Sequence, residues 1–263
     1  MLASAVPVVD RVAALRELLL GLGRVGIAVS GGVDSLTLAA FAWSLRAALD
    51  VTLFHASSAA VPFEASARTR ALAAERGWEL VVVDAGELAD PRYAANPVNR
   101  CYFCKSHLFD AVAAVFSGAI CTGANLDDLD DVRPGRLAAA ERRVHEPFVA
   151  AGLSKGAVRA LARSLGLNDV AELPASPCLS SRVETGIAID ASLLRLVDDV
   201  ERAVRVLGIA VVRCRVRASG LVIEHEGHVD EDAVVGLVSP LVGGRAISFA
   251  PYRQGSAFLR VIS

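Results

Sequence analysis

The sequence contains no long apolar run. Hydrophobic residues make up 54% of its 263 positions and mean hydropathy is +0.46, but Ala and Val are interspersed with charged residues throughout. A membrane-spanning helix needs about 20 consecutive apolar residues, so we expect a soluble protein with no membrane partner. A basic leader is also missing, because Asp10 and Arg11 follow a mildly apolar start. We therefore expect a cytoplasmic location.

The sequence has no excess of basic charge either. Its net charge is -2 and its isoelectric point is near 6.2. Proteins that bind nucleic acids usually carry a basic footprint, so we expect no nucleic-acid partner.

The cysteines do not suggest a disulfide framework. There are five, an odd number, and two of them form Cys101-x-x-Cys104. In a reducing compartment this spacing indicates metal or thiol chemistry rather than a structural disulfide. Cys121 and Cys214 lie on predicted strands, and free cysteines of that kind are usually buried.

Two domains are predicted, over residues 1–173 and 174–263. In the first, apolar periodicity alternates between strand and helix patterns. The predicted strands are Val25–Val29, Val51–Phe54, Leu80–Val83 and Ala119–Cys121. The predicted helices cover Val12–Leu19, the stretch from the first strand to about Leu45, Glu64–Arg76 and Lys105–Phe116. This alternation predicts an α/β fold with a parallel sheet covered on both faces, and ligands at the carboxyl ends of its strands.

The second domain is predicted to be a smaller α+β domain. Its predicted strands are Val183–Ile189, Ala210–Val216, Leu221–Glu224 and Ala246–Phe249, and its predicted helices are Ser192–Leu207 and Asp232–Val238. This order approximates a split β-α-β arrangement.

A glycine-containing segment follows the first predicted strand and opens a helix. It consists of Ser30, Gly31, Gly32, Val33, Asp34 and Ser35. Backbone N–H groups and the positive end of the helix dipole face outward at such a junction, where the phosphates of ATP can sit. The segment lacks the ending of a Walker A loop and the spaced glycines of the dinucleotide fingerprint. The alternative is a plain Gly-Gly turn.

This segment resembles the PP-loop of the ATP pyrophosphatases. The resemblance implies that ATP is bound with Mg²⁺, and that a carboxylate or similar oxygen is adenylated with release of pyrophosphate. GMP synthetases, NAD synthetases and tRNA thiolases share the loop, so the acceptor stays open.

Several charged residues further along could serve the same nucleotide. Asp127, Asp128 and Asp131 concentrate carboxylates after a strand end, where they can hold a hard cation or simply cap a helix. Arg133 can clamp a phosphate or form a surface ion pair. Lys105 can neutralise pyrophosphate, lower a thiol pKa, or be an exposed helix lysine.

Three longer segments occur in an order that narrows the acceptor. They are Asn96-Pro97-Val98-Asn99-Arg100-Cys101-Tyr102-Phe103-Cys104-Lys105, then Thr122-Gly123-Ala124-Asn125-Leu126-Asp127-Asp128 with Asp131-Val132-Arg133-Pro134-Gly135, and finally Pro177-Cys178-Leu179-Ser180-Ser181-Arg182. In this order they resemble the LarE family of PP-loop sulfur transferases. That family makes the pyridinium-bisthiocarboxylate nucleotide of the nickel-pincer cofactor. Glu184-Thr185 stands where the family usually has Pro-Tyr.

The resemblance implies roles for individual residues. Asp34 and Cys178 would be catalytic, and Lys105, Asn125, Asp128 and Arg133 would join the loop in binding ATP. The phosphate of a small-molecule nucleotide substrate would be held by Ser180, Ser181, Arg182, Arg215 and Arg217. The resemblance also implies a homo-oligomer and handover of the product to a nickel-inserting cyclometallase.

Two mechanisms are open for Cys178. In one, its sulfur is sacrificed to the substrate and dehydroalanine is left in the protein. In the other, Cys101, Cys104 and Cys178 hold three irons of a [4Fe-4S] cluster whose fourth iron carries the sulfide. Because Cys101 and Cys104 are both present, we favour the cluster.

The second predicted domain has arginines at alternating positions of one strand. Arg213, Arg215 and Arg217 therefore point to one face, where a row of guanidinium groups can grip a phosphate. Glu201 and Glu224 are weaker candidates for a metal, and we interpret them as ordinary surface carboxylates.

Other functions are compatible with the loop alone. Another PP-loop enzyme, such as a tRNA thiolase or an amidating synthetase, would need nucleic acid or ammonia to consume ATP. A non-catalytic ATP-binding sensor would bind ATP without releasing pyrophosphate.

Overall fold

The computed structural model describes residues 8–129 and 134–253, which form two compact units. Unit 1 comprises the described residues up to Ser58, together with Glu64–Ala85 and Cys101–Ser176. Unit 2 comprises Ala59–Phe63, Gly86–Arg100 and the described residues from Pro177 onward. The chain therefore passes between the units several times.

Unit 1 is built on four strands: β1 (Arg24–Val29), β2 (Asp50–Ala56), β3 (Leu80–Val83) and β4 (Ala119–Cys121). They form one parallel sheet in the order β3-β2-β1-β4. In β1 every residue after Arg24 is buried, as is typical of strands covered on both faces. The α/β fold class and the parallel sheet are confirmed.

Helices cover both faces of this sheet. They are α1 (Val8–Leu22), α2 (Val33–Ser44), α3 (Phe63–Arg76), α5 (Arg100–Val115), α6 (Pro134–Glu141), α7 (Pro147–Ala150), α8 (Lys155–Ser164) and α9 (Asn168–Ala171). The first residues of α3 and α5 belong to unit 2, as does the four-residue α4 (Pro91–Ala94). One apolar core centres on α2, with Leu36 and Leu38 fully buried, and a second contains Phe109 and Val112 of α5. Strand order reverses beside β1, so the loops after β1 and β4 flank the crevice where such sheets bind ligands.

Unit 2 contains the second sheet. Its elements are α10 (Ala191–Val206), β5 (Val212–Arg217), β6 (Gly220–His225), α11 (Glu231–Val242) and β7 (Ile247–Pro251). β5 and β6 form an antiparallel hairpin, and β7 lies parallel to β6 on its other side. The split β-α-β prediction is wrong, because α11 connects two strands that are direct neighbours.

The strand predicted over Val183–Ile189 is also wrong. Only Val183 pairs with a strand, through one bridge to Val216. The side-chain amide of Asn96 donates to the carbonyls of Val183, Glu184 and Ile187, at 3.3, 2.9 and 3.1 Å. These carbonyls are held in a loop instead of a strand ladder, which the alternating apolar pattern does not reveal.

No helix among residues 8–129 and 134–253 has the length and apolar character needed to cross a membrane.

Candidate functional site

The segment Ser30–Ser35, here called the glycine loop, joins β1 to α2 as predicted. The Ser35 hydroxyl organises it. Its oxygen accepts a hydrogen bond from the Ser30 N–H at 3.1 Å, lies 3.2 Å from the Ser30 hydroxyl, and donates to the Gly32 carbonyl at 3.2 Å. The loop therefore has a defined shape, with the first N–H groups of α2 at its end.

The two glycines of this loop are not equivalent. Gly31 has φ of +78°, and a Cβ there would lie 2.4 Å from the Ala65 carbonyl oxygen. Gly32 has φ of -89°, and the nearest atom to a Cβ would be the Ser30 hydroxyl oxygen, at 3.7 Å. Conformation and close contact with α3 both require glycine at position 31, whereas neither requires it at position 32.

Two side chains outside the loop hold carbonyls at its start, one on the residue before the loop and one within it. His55, at the end of β2, donates from Nδ1 to the Val29 carbonyl at 2.9 Å, and its Nε2 accepts from the Ser66 hydroxyl at 2.9 Å. Burial lowers the pKa of His55, so the ring is neutral. Arg68 of α3 donates to the Gly31 carbonyl at 2.7 Å. In the sequence, His55 directly follows the predicted strand Val51–Phe54, and in the structure it pairs with Val29 in the parallel register of β1 and β2. No motif in the sequence singled out either His55 or Arg68.

Asp34 is the centre of a second group of contacts. Its carboxylate pairs with the Lys155 ammonium and accepts a hydrogen bond from the Asn125 amide at 3.3 Å. The Asn125 N–H donates to Asp128 at 3.1 Å, and the Lys155 N–H donates to Asp127 at 3.1 Å. The structure thus brings the predicted Asp34, Asn125 and Asp128 together. It adds Lys155, at the start of α8, which no motif in the sequence predicted.

The loop after β4 reaches Asp34 because it packs against the first turn of α2. A Cβ on Gly123 would lie 2.7 Å from the carbonyl carbon of Asp34 and from the amide nitrogen of Ser35. Lys105 lies on α5, with its ammonium 5.8 Å from the centre of the Phe109 ring. Asp131 and Arg133 lie outside the described residues.

Three of the five cysteines are partly exposed. Two of them belong to unit 1 and the third to unit 2. Cys101 and Cys104 lie one turn apart on α5 in unit 1, and Cys178 lies in unit 2. Their joint role as cluster ligands stays a prediction. Taken separately, the described part of neither unit contains three or more His, Cys, Asp or Glu side chains grouped as metal ligands.

Cys121 and Cys214 are buried, as predicted. Burial raises the pKa of Cys121 to about 12 and also raises the pKa of Cys214 above its usual value. Both thiols are packing residues with little nucleophilic character.

Cys178 lies in a tightly held segment, Pro177–Arg182, here called the cysteine loop. The Cys178 carbonyl accepts hydrogen bonds from the Ser181 N–H at 3.0 Å, the Ser181 hydroxyl at 2.7 Å and the Arg182 guanidinium at 3.1 Å. The next amide, of Leu179, donates to the Ala60 carbonyl at 2.8 Å. The peptide that follows the partly exposed thiol is therefore fixed at both ends.

Arg182 connects this loop to the interior of unit 2. Its guanidinium also donates to the Pro177 carbonyl and forms two bonds with Glu201, at 2.9 and 3.2 Å. Both side chains of this ion pair are almost fully buried, at 0% and 1% exposed. Burial opposes the ionisation of Glu201, but the arginines around it outweigh that effect and keep its pKa below the usual value. The surface interpretation of Glu201 is wrong.

The predicted phosphate-binding residues of unit 2 make contacts within the protein. Arg215 pairs with Glu224 at 2.9 Å and donates to the Ser181 carbonyl at 2.9 Å. The Ser180 hydroxyl lies 2.5 Å from the Tyr93 hydroxyl. Arg215 and Glu224 are buried, so the surface interpretation of Glu224 is also wrong.

Two further residues lie at or contact the turn of the β5–β6 hairpin. Arg217, at the end of β5, is partly exposed. Glu184 accepts a hydrogen bond from the Ala218 N–H at 3.3 Å, where the hairpin turns. This contact gives Glu184 a structural role at a position where the resemblance leads one to expect proline. Phosphate binding by Ser180, Ser181, Arg182, Arg215 and Arg217 stays a prediction.

Comparison with known proteins gives two informative relatives. An uncharacterised protein of Synechocystis, slr1717, is 39% identical over 205 residues, which cover 76% of this chain and 76% of the relative. The pyridinium-3,5-bisthiocarboxylic acid mononucleotide synthase of Lactiplantibacillus plantarum is 32% identical over 208 residues, which cover 78% of this chain and 74% of the relative. No protein-family model matches the chain.

Proposed function

This chain belongs to the family of the pyridinium-3,5-bisthiocarboxylic acid mononucleotide synthases, and on that premise we propose that it is an ATP-dependent sulfur transferase. Its substrate would be pyridinium-3,5-biscarboxylic acid mononucleotide. One carboxylate would be adenylated and then converted to a thiocarboxylate, as a step in making the nickel-pincer cofactor. The product would pass to a nickel-inserting cyclometallase.

The observation that carries this proposal is the set of contacts made by Asp34 of the glycine loop. Asp34 is the second residue of α2 and contacts Asn125 and Lys155, so carboxylate, amide and ammonium groups meet at one end of the sheet. A triphosphate bound to the loop would meet oxygen ligands suited to Mg²⁺ and a cation suited to pyrophosphate.

The adenylation step follows from this chemistry. A carboxylate oxygen of the substrate attacks the α-phosphorus of ATP, and the bond from that phosphorus to the bridging oxygen breaks. The electron pair leaves with pyrophosphate, whose charge the loop N–H groups and Lys155 can neutralise. Asp34 and Asp128 are the carboxylates that would hold Mg²⁺, which supplies charge shielding for the phosphates.

The sulfur step uses Cys178. In the sacrificial version its thiolate attacks the acyl carbon and AMP leaves. A base then removes the Cα proton of Cys178 and the Cβ–Sγ bond breaks, giving a thiocarboxylate on the substrate and dehydroalanine in the chain. The cysteine loop would hold the Cys178 backbone in place during these steps.

The cluster version fits the same residues chemically. Cys101, Cys104 and Cys178 would hold three irons, and the cluster would supply a sulfide at its fourth iron. All three thiols are partly exposed.

The proposed function is tested with protein purified without oxygen. Wild type is supplied with ATP, Mg²⁺ and the dicarboxylate nucleotide, and pyrophosphate, AMP, thiocarboxylate and the protein mass are measured. We expect pyrophosphate release that requires the nucleotide substrate, and no thiocarboxylate from Cys178→Ala. Release that instead requires tRNA or ammonia would indicate another PP-loop enzyme, and ATP binding without release would indicate a sensor.

The same samples separate the two sulfur sources. About four iron and four sulfide per chain, lost in both Cys101→Ala and Cys178→Ala, would establish the cluster. An iron-free protein that loses about 34 Da after turnover would establish sacrifice of Cys178, because that is the mass of H₂S.

A further inference from the structure

The first two turns of α3 contact the glycine loop or the residues that hold it. The inference drawn from these contacts rests on the proposed function, because it concerns ATP binding. Ala65 packs against Gly31, Ser66 holds His55, and Arg68 bonds the Gly31 carbonyl. We infer that Arg68 is a positioning residue for ATP: by holding the Gly31 carbonyl, it directs the Gly32 N–H toward the nucleotide phosphates.

The direction of the Gly32 N–H follows from peptide geometry. The Gly31–Gly32 peptide is trans, so its C=O and N–H point in opposite directions. Arg68 holds the oxygen toward α3 at 2.7 Å. The Gly32 N–H is therefore turned away from α3, at the N-cap of α2, where the positive end of the helix dipole also attracts phosphate.

The Val29–Ser30 peptide, two peptides earlier in the chain, is fixed at both ends without Arg68. The Val29 carbonyl is bonded by His55 and the Ser30 N–H is bonded by the Ser35 hydroxyl. Arg68 thus acts on the peptide between Gly31 and Gly32. Glycine has no Cβ, so a peptide flanked by two glycines rotates more easily than its neighbours do. If that peptide rotated by half a turn, its carbonyl oxygen would face the phosphates and repel them.

The role proposed for Arg68 is indirect. Its bond is to a backbone carbonyl, so removing it would alter the presentation of a donor while leaving Asp34, Asn125 and Lys155 in place. Its neighbour Arg70 lies on the same helix and is exposed, and it provides a matched control.

The test compares Arg68→Met, Arg68→Lys and Arg70→Met with wild type. Methionine keeps the apolar part of the arginine stem, and lysine restores one donor. The measurements are the maximal rate constant (kcat) and the half-saturating ATP concentration (KM) of pyrophosphate release in the first turnover, which both sulfur sources allow, the Kd of MgATP, and the melting temperature without nucleotide. We expect kcat/KM of Arg68→Met to fall about 10- to 100-fold, mainly through KM, with a parallel rise in Kd. Arg68→Lys should recover part of the loss.

Each outcome either supports or contradicts the positioning role of Arg68. Arg70→Met should stay within about twofold of wild type, as expected for an exposed side chain. Arg68→Met with the kcat/KM and Kd of Arg70→Met would overturn the inference, and so would a loss explained by a lower melting temperature alone. A wild type that binds MgATP but releases no pyrophosphate would contradict the proposed function. The Kd comparison would then still test the role of Arg68.

Discussion

The glycine loop of unit 1 and the cysteine loop of unit 2 are both held by an arginine that donates to backbone carbonyls. Arg68 reaches one carbonyl of the glycine loop and is half-buried. Arg182 reaches two carbonyls of the cysteine loop and is paired with Glu201 in the interior of its unit. The same kind of bond is thus made in two different environments.

The difference follows from what each loop is proposed to do. A loop that binds and releases a nucleotide lies open to solvent, and Arg68 beside it is only half-buried. A loop that presents one thiol can be fixed from behind by a buried network. In that network Arg182, Glu201 and Arg205 lie together, and the Cys214 N–H donates to Glu201 at 3.1 Å.

The largest effect should come from breaking the buried pair. Arg182→Met leaves the Glu201 charge in the interior without its main partner, and should lower the free energy of unfolding by about 3 to 5 kcal/mol. Urea unfolding measures this loss. Arg163→Met, which removes an exposed pair with Glu172, should cost less than about 1 kcal/mol.

A double variant separates stability from loop geometry. Arg182→Met with Glu201→Met should recover part of the stability, because the Glu201 charge is removed together with its main partner. The recovery should be incomplete, since Arg205 and the Cys214 N–H also lose the Glu201 carboxylate. The double variant should not recover thiocarboxylate formation, since the Pro177 carbonyl still lacks the Arg182 donor and the Cys178 carbonyl keeps only its two bonds from Ser181. Full activity in the double variant would show that Arg182 does not position Cys178.

An intermediate effect is expected from the glycine pair. Gly31→Ala places a Cβ against the Ala65 carbonyl in a left-handed conformation, and should cost about 2 to 3 kcal/mol and abolish ATP binding. Gly32→Ala should cost less than about 1 kcal/mol, because its conformation is ordinary and its surroundings are open. Thermal unfolding with and without MgATP measures both. Equal costs would mean that α3 does not constrain the glycine loop.

The smallest effect concerns pH. Burial holds the pKa of His55 below its ordinary value of 6.5, so the unfolded chain takes up a proton first as the pH falls. The stability from the neutral ring is present above that value and is lost as the pH falls toward the lowered pKa of the folded state. His55→Gln can keep both hydrogen bonds, and should cost about 1 kcal/mol at pH 7.5.

The measurement for His55 is the free energy of unfolding at pH 7.5 and pH 5.5. Wild type should lose more stability over this interval than His55→Gln does. Identical losses would show that His55 does not link the glycine loop to pH.

Sequence patterns predicted the elements whose structure depends on residues close together in the chain. The four strands of unit 1 and the position of the glycine loop could be predicted, because buried parallel strands and a Gly-Gly junction have distinctive sequences. Cys178 was found through its resemblance to a family motif. The helices between residues 134 and 171 were not predicted. Helices α6, α7 and α9 are short, but the buried Ala157, Val158, Leu161 and Ala162 of α8 do follow a helical period.

The supporting residues could not be predicted for a different reason. Lys155 lies 121 positions from Asp34 in the sequence, and Arg68 lies 37 positions from Gly31. Contacts at such separations depend on how helices return to the sheet. Likewise, the loop over Val183–Ile187 is set by Asn96, about 90 positions earlier, against the alternation of its own residues.

The interleaving of the two units has a consequence for how the protein can be divided. Unit 2 uses Tyr93 and Asn96 from its early segment to contact Ser180 and the Val183–Ile187 loop. A contiguous fragment that begins at Pro177 would lack both of these partners, and removing residues 86–100 from the rest would cut the chain before α5. Unit 2 therefore cannot be moved to another protein as one contiguous segment of the chain. Gene fusions, truncations and domain exchanges in this family have to respect a boundary that the chain crosses more than once.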